Sequence, residues 1–354
     1  MLRNIYIRPL GLYRADRAET AQDVWGGMRL AGGWLDFTAI EVLERNGARV
    51  DRFVGGIGDV LERDWGRRAT EAADMVQLVL EPRPRIAGLS LERPRIMGVV
   101  NVTPDSFSDG GRHPDAAAAI AHARALEAAG ADILDIGGES TRPGAEPVAV
   151  DDELARVLPI IEALAGKTDA LISVDTRKAE VMQRAADAGC DIINDVSALT
   201  YDPDALETVA ATGLPVILMH ALGDPKTMQD DPQYDDVLLD VFDFLDARID
   251  ACREAGIAAT KIIADPGIGF GKTLEHNLEL MRGLTLFHAL GVPLLIGASR
   301  KRFIGALSGV EAAEDRVSGS VAAALAGVAQ GAQIVRVHDV AETRQALAVW
   351  TAIA

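Results

Sequence analysis

Four polar residues stand at or just past the ends of short apolar runs: Asp175 after LISV, Asn194 within DIIND, Asp265 after KIIA and Lys301 after PLLIGASR. Carboxylates and amides buried at such positions need hydrogen-bond donors to satisfy them. A flat heterocycle with an exocyclic amino group and ring N–H groups supplies those donors, and a lysine meets its carbonyl oxygen. Met219, in LMH, offers a polarisable thioether to the ring face. A second set suits an anion. Arg336 and His338 alternate along IVRVH, so both side chains face the same way. Beside Asn101, which ends RIMGVVN, they suit a phosphate or pyrophosphate, with Mg²⁺ completing the charge balance.

The stretch DPGIGFGKT (265–273) resembles a nucleotide phosphate loop at first sight. That loop needs Gly, four residues, then Gly-Lys-Ser/Thr, so that successive backbone N–H groups wrap the phosphate. Here Gly267 is followed by only three residues before Gly271, and the residue that has four between it and Gly271 is Pro266, which has no N–H to give. GESTRPG offers Ser140 but no G-x-S-x-G elbow, and the sequence has no HExxH, CxxC or His triad. Chemistry without a nucleophile or metal cluster must rest on positioning and electrostatics, with no covalent enzyme intermediate.

The elements that must carry these residues are legible in the spacing. Apolar runs at 95–102, 132–137, 171–175, 191–195, 215–220, 261–265, 293–299 and 334–338 are rich in Ile, Val and Leu, as strands buried on both faces are. Alanine-rich stretches with helical spacing lie between them, at 115–130 and 317–331 for example. Eight strands each followed by a helix predict a (β/α)8 barrel, an α/β fold whose working residues sit at the C-terminal strand ends. GADILDIG, GCDIINDV and GAQIVRVH repeat one helix-to-strand junction, with Gly130, Gly189 and Gly331 closing the helix. A doubly wound sheet is the alternative, but it predicts one switch point, whereas polar residues follow nearly every run here. Residues 1–92 read differently, as a small N-terminal α/β appendage of unknown role ahead of a catalytic barrel over 93–354. Strands are expected at 5–10 and 51–58, a helix at 73–82, and a proline-rich linker at 81–94.

Composition narrows the partners. The chain has 354 residues, 49% hydrophobic and only 5% aromatic, with a net charge of −18. That charge argues against nucleic acid and recruits no anionic substrate from a distance, so an anion site must be local. Two cysteines, Cys190 and Cys252, fit a reduced cytoplasm, and no run of eighteen apolar residues or signal-peptide core predicts a membrane segment.

VNVTPDSFSDGG, IGGESTRPGA, ISVDTRK, IINDVSAL, LMH, DPGIGFGK, GASRK and IVRVHDV, in this order and spacing, resemble the dihydropteroate synthases over about residues 94–354. The resemblance implies a TIM-barrel enzyme that condenses 6-hydroxymethyl-7,8-dihydropterin pyrophosphate with 4-aminobenzoate, in an SN1-like order. It assigns Asp175, Asn194, Met219, Asp265 and Lys301 to the pterin, and Asn101, Thr141, Arg336 and His338 to the pyrophosphate and Mg²⁺. Phe107, Thr141, Pro143, Phe270 and Ser299 would surround the aminobenzoate. Asp175, Asp109, Lys301 and Arg336 would carry the catalytic electrostatics, and loops 103–111 and 138–145 would close over the substrates. It also implies a cytoplasmic homodimer inhibited by sulfonamides. A pterin-binding methyltransferase would not need the Arg336/His338 anion site, and a non-catalytic paralogue would not need the loops. The first 92 residues lie outside the resemblance.

Overall fold

The computed structural model describes residues 4–14, 27–47, 49–102, 112–140, 144–223 and 227–353. Six strands come first: β1 (Ile5–Leu10), β2 (Tyr13–Arg14), β3 (Met28–Arg29), β4 (Leu35–Phe37), β5 (Ala39–Asn46) and β6 (Arg49–Gly55). They form two antiparallel three-stranded sheets, β1-β5-β6 and β2-β4-β3, followed by helices α1 (Ile57–Glu62) and α2 (Ala69–Leu80). The sequence pattern anticipated β1, β6 and α2. It missed β5 because AIEVLERN lacks a clean alternation: Ile40, Glu41, Val42 and Leu43 are all buried. Glu41 is tolerated there by ion pairs with Arg8 (2.6 Å) and Arg52 (3.2 Å).

The remaining elements make the expected barrel. Its strands are β7 (Arg95–Asn101), β8 (Ile133–Gly137), β9 (Leu171–Asp175), β10 (Ile192–Asp195), β11 (Val216–Met219), β12 (Ile262–Asp265), β13 (Leu295–Ile296) and β14 (Ile334–Val337). All pair in parallel, β14 lies between β7 and β13, and a bridge between Ala264 and Leu294 brings β12 against β13 to close the ring. Helices α3 (Arg112–Ala128), α4 (Val150–Leu164), α5 (Ala179–Asp187), α6 (Ala205–Thr212), α7 (Val237–Glu254), α8 (Leu274–Arg282), α9 (Arg302–Ser308), α10 (Val317–Val328) and α11 (Val340–Ile353) follow the strands. Among the described residues, none of them is long and apolar enough to cross a membrane. β13 is much shorter than the run 293–299 suggested. Pro293 brings no N–H to the ladder, only its carbonyl, which accepts from Ala264 (2.9 Å), and the chain turns away at Gly297 toward the site.

The repeated junction has a physical basis. Gly130, Gly189 and Gly331 have φ of 99°, 101° and 86°, the left-handed turn that ends a helix. The next residue's N–H then reaches back five residues: Ala131 to Leu126 (3.0 Å), Cys190 to Ala185 (3.0 Å) and Ala332 to Gly327 (3.1 Å). The residue after that is Asp132, Asp191 or Gln333. Its side-chain oxygen accepts the N–H of Ile96 (3.0 Å), Ile172 (2.8 Å) or Leu294 (2.8 Å) at the start of the preceding strand. Register is thus fixed at the N-terminal ends, and strand alternation carries it to the opposite end, where the polar residues stand.

The segment 81–94 is more than a linker. Ile86 and Leu89 exchange backbone hydrogen bonds (3.1 and 2.8 Å). Ile86 and Leu91 are buried with Met97, Ile133, Ile192, Ile217, Ile263, Leu295 and Ile334, the layer at the N-terminal ends of the strands. The prolines keep this stretch out of a helix, and its apolar residues plug the barrel floor. The N-terminal sheets pack on the outer wall instead. Tyr6, fully buried, donates to both oxygens of Asp243 on α7 (2.9 Å each) and meets Phe242 edge-on, with ring centroids 5.4 Å apart. Trp34 donates to the Val328 carbonyl (3.2 Å), and Arg83 to the His288 carbonyl (2.7 Å) in a 3-10 turn over Leu284–Leu290.

Candidate active site

Arg336, on β14, reaches across the mouth of the barrel. Its Nε donates to Asp135 (2.6 Å) on β8 and its Nη2 to Asp175 (2.7 Å) at the end of β9. Burial works against the arginine's charge, but Asp135 and Asp175 outweigh it and hold the guanidinium above its ordinary range. Asp175 is pushed up to about 7, chiefly by burial; Arg336 opposes the shift while Asp135, Glu153 and Asp195 add to it. Asn194 joins the same group by donating to Asp135 (3.1 Å). Asp135 was not among the residues singled out from the sequence. Its signal was there, an acid inside the apolar run ILDIG, but it sits two residues before the strand end. Fully buried, its Oδ1 has no hydrogen-bond partner among the described residues, and a buried acceptor left unmet suits a wall that meets a ligand.

Asp265 and Lys301 face this group from β12 and from the turn after β13. Asp265 ends β12 and accepts the Gly267 N–H (2.7 Å). Burial raises its carboxyl above the usual range, and Lys301, Gly267 and Arg336 oppose that shift. Lys301 is lowered to about 7, first by burial and further by Arg336, with Asp265 opposing. Its amine donates to the Ile268 carbonyl and lies 4.4 Å from the centroid of the Phe270 ring. Gly267, at φ 67°, brings the turn so close to β11 that a Cβ there would sit 1.9 Å from the His220 carbonyl. The glycines of DPGIGFG therefore serve close packing of the turn. Lys272 does not serve as a phosphate lysine in this arrangement: it is buried, bonded to His220 Nδ1 (2.9 Å) and to the carbonyls of Phe270 (3.0 Å) and His220 (3.3 Å).

Ser299 and His338 meet through Ser299 Oγ and His338 Nδ1 (3.0 Å), and the His338 N–H also donates to that hydroxyl (3.2 Å). Between Ser299 and Lys301 stands Arg300 with φ 59°, strained for a side chain of this kind. Its guanidinium makes a two-point pair with Asp339 (3.0 and 2.5 Å), its N–H meets Ser320 (2.8 Å) and its carbonyl accepts from Arg316 (3.0 Å). These bonds hold the turn after β13 against the end of β14, and so set Lys301 relative to His338.

Asn101 ends β7 opposite Gly137, and Met219 ends β11 opposite Asp265. The expected residues Asp175, Asn194, Asp265, Lys301 and Arg336 are thus brought together at one end of the barrel, with Asn101, Met219, Phe270, Ser299 and His338 at the same strand ends or the turns that follow. Phe107, Asp109, Thr141 and Pro143 lie outside the described residues. Sequence reasoning also missed Glu139, which is buried and accepts from Arg177 (3.1 Å), Lys178 (2.9 Å) and the Val148 N–H (3.1 Å). Burial would raise its carboxyl, but Lys178 and Arg177 overcome this and hold it low.

A family model described as "Pterin binding enzyme" matches residues 97–338. A dihydropteroate synthase of Escherichia coli (strain K12) is 52% identical over 261 residues, 74% of this chain and 92% of that protein. Among solved structures, a Xanthomonas albilineans dihydropteroate synthase with 4-aminobenzoic acid is 53% identical, with a TM-score of 0.72 over 77% of this chain and 98% of the other. Another, in complex with 7,8-dihydropteroate, is 50% identical with a TM-score of 0.69 and the same coverage. Together with eight strands whose ends deliver Asp175, Asn194, Asp265, Lys301 and Arg336 to one mouth, these likenesses mean that the chain belongs to the pterin-binding enzymes and, within them, to the dihydropteroate synthases.

Proposed function

We infer that this chain condenses 6-hydroxymethyl-7,8-dihydropterin pyrophosphate with 4-aminobenzoate, forming 7,8-dihydropteroate and releasing pyrophosphate. The observation that carries the reading is the presence at one barrel mouth of a buried acid, Asp265, and a half-buried lysine, Lys301, together with an arginine, Arg336, held between two further acids. Asp265 accepts from the pterin amino and ring N–H groups, Asn194 adds a further polar contact, and Lys301 meets the ring carbonyl. Met219 packs on the ring face. Arg336, His338 and Asn101 receive the pyrophosphate, which places the scissile bond between the two groups.

Asn101 suits Mg²⁺ in one respect. Among the described residues there is no cluster of three or more His, Cys, Asp or Glu to cage a metal. Mg²⁺ commonly keeps waters and substrate phosphates and takes one or two protein oxygens, so a lone carboxamide oxygen beside an anion site fits it. When bound it disperses charge on the pyrophosphate. The protein's own part is electrostatic. Arg336 and His338 stabilise negative charge on the leaving group. Ionised Asp175 stabilises the cation left on the exocyclic methylene, which is conjugated with the dihydropterin. The aromatic amine then attacks from the side of Phe270 and Ser299, held at near-attack distance. Phe107, Thr141 and Pro143 would complete the aminobenzoate surroundings, Thr141 would also reach the pyrophosphate, and Asp109 would assist the cation. Sulfonamides, as mimics of 4-aminobenzoate, would compete for that subsite.

A homodimer in a reducing cytoplasm belongs to the same proposal; both cysteines are buried free thiols. The N-terminal segment already occupies the wall at α7 and the 3-10 turn, so self-association would use another part of the surface. Function is tested by incubating the protein with both substrates and Mg²⁺. Dihydropteroate and pyrophosphate are expected in equal amounts, and binding of the pterin without any product would refute the assignment.

A further inference from the structure

In the turn from Gly267 to Thr273 every backbone carbonyl is taken by a donor. Gly267 accepts from the Phe270 N–H (3.2 Å), Ile268 from Lys301, Gly269 from Gln229 (2.7 Å) and Phe270 from Lys272 (3.0 Å). Gly271 accepts from Tyr234 (2.7 Å), and Lys272 and Thr273 from Asn277 (3.4 and 2.6 Å). Lys272 differs from the other side-chain donors in two ways. It also grips the end of β11, through the ring and the carbonyl of His220. And it is buried with no carboxylate within ion-pair distance among the described residues. An amine in that setting is costly, and a methionine would fill the same space without the cost. Burial holds the amine's pKa well below the ordinary lysine range, and three polar atoms surround it: the carbonyls of Phe270 and His220 and the ring acceptor His220 Nδ1. That acceptor is itself fixed, because the His220 ring packs edge-on against Phe244 (4.8 Å) and tilted against Tyr234 (5.9 Å).

We infer that Lys272 is a positioning residue for the 4-aminobenzoate half of the site: by tying the Phe270 carbonyl to the end of β11, it sets the Phe270 ring over Lys301. This rests on the reading above that Phe270 lines the aminobenzoate subsite. Asp265 begins the turn and is held separately by the Gly267 N–H, so loss of Lys272 moves Phe270 while leaving the pterin contact in place.

The split between the two substrates is the test. Lys272→Met should raise KM for 4-aminobenzoate roughly tenfold while the Kd for bare 6-hydroxymethylpterin changes by less than about threefold. Phe270→Ala, assayed alongside, should raise the same KM. Equal losses for both ligands in Lys272→Met, or an unchanged KM for 4-aminobenzoate while Phe270→Ala raises it, would overturn the inference and leave the Phe270 reading standing. An unchanged KM in Phe270→Ala would instead overturn that reading, and the inference with it. Should Lys272→Met not accumulate as folded protein, His220→Asn removes the ring acceptor and is read by the same split, with the same results for and against.

Discussion

Asp265→Asn isolates the proposed pterin contact with least disturbance to its surroundings. The substitution keeps the shape and leaves one oxygen to accept the Gly267 N–H now bonded at 2.7 Å, so the turn should hold. What changes is the other end of the group, where an acceptor becomes a donor facing the donors of a pterin. Two hydrogen bonds to a charged acceptor are lost, each contributing about 1.5–3 kcal/mol, or ~3–6 kcal/mol together. At 1.4 kcal/mol per tenfold, the Kd for bare 6-hydroxymethylpterin should rise by about 10²–10⁴-fold. Stability should move the other way. Burial holds the Asp265 carboxyl above its ordinary range, so its ionisation opposes folding as pH rises through the folded value; the neutral amide escapes that cost. Isothermal titration with the bare pterin, with thermal melts at pH 7.5, gives both readouts. A Kd within threefold of the parent, in a variant that melts normally, would refute the reasoning.

Lys301→Met should stabilise the free protein at neutral pH at the expense of pterin binding. Lys301 is lowered to about 7 from 10.5, so its contribution to stability is present above 10.5 and lost as pH falls toward 7. The variant's advantage in melts should therefore be largest near pH 7, on the order of 1–3 kcal/mol after allowing for its partial exposure, and should shrink as pH rises toward 10.5. Trp34→Ala should cost about 3 kcal/mol in urea unfolding, since it empties a buried site and removes one of the two donors to the Val328 carbonyl, leaving the Gly331 N–H (3.0 Å); a loss under 1 kcal/mol would show that the N-terminal sheets contribute little to holding this wall.

The barrel was legible because its two signals are local. Ile- and Val-rich runs of four to seven residues mark doubly buried strands, and the Gly-x-Asp/Gln junctions at Gly130, Gly189 and Gly331 mark where three of them, β8, β10 and β14, begin. The polar strand ends were legible for the same reason, since a strand's last residue is known once the run is known. Asp135 and Glu139 were hidden by non-local partners: what makes Asp135 part of the site is Arg336, 201 residues away in sequence. The short β13 was obscured because PLLIGAS is apolar throughout, yet only Leu295 and Ile296 join the ladder. β5 was missed because its burial breaks the alternation of a strand, and the plug at Ile86–Leu91 because its burial depends on the barrel it packs against. Lys272 illustrates the limit: sequence spacing ruled out a phosphate role, but only the contacts with His220 and Phe270 say what the amine does instead.

In the proposed function the mouth of the barrel is divided, with the acids and Lys301 for the ring, and Arg336 with His338 and Asn101 for the pyrophosphate. Calorimetric affinities for 6-hydroxymethylpterin and for its pyrophosphate ester, with Mg²⁺ present, test that division in the parent and in Arg336→Met. The parent should prefer the ester, and the variant should lose most of that preference, whatever happens to the affinity for the bare ring. An unchanged ratio between the two ligands in Arg336→Met would contradict the account.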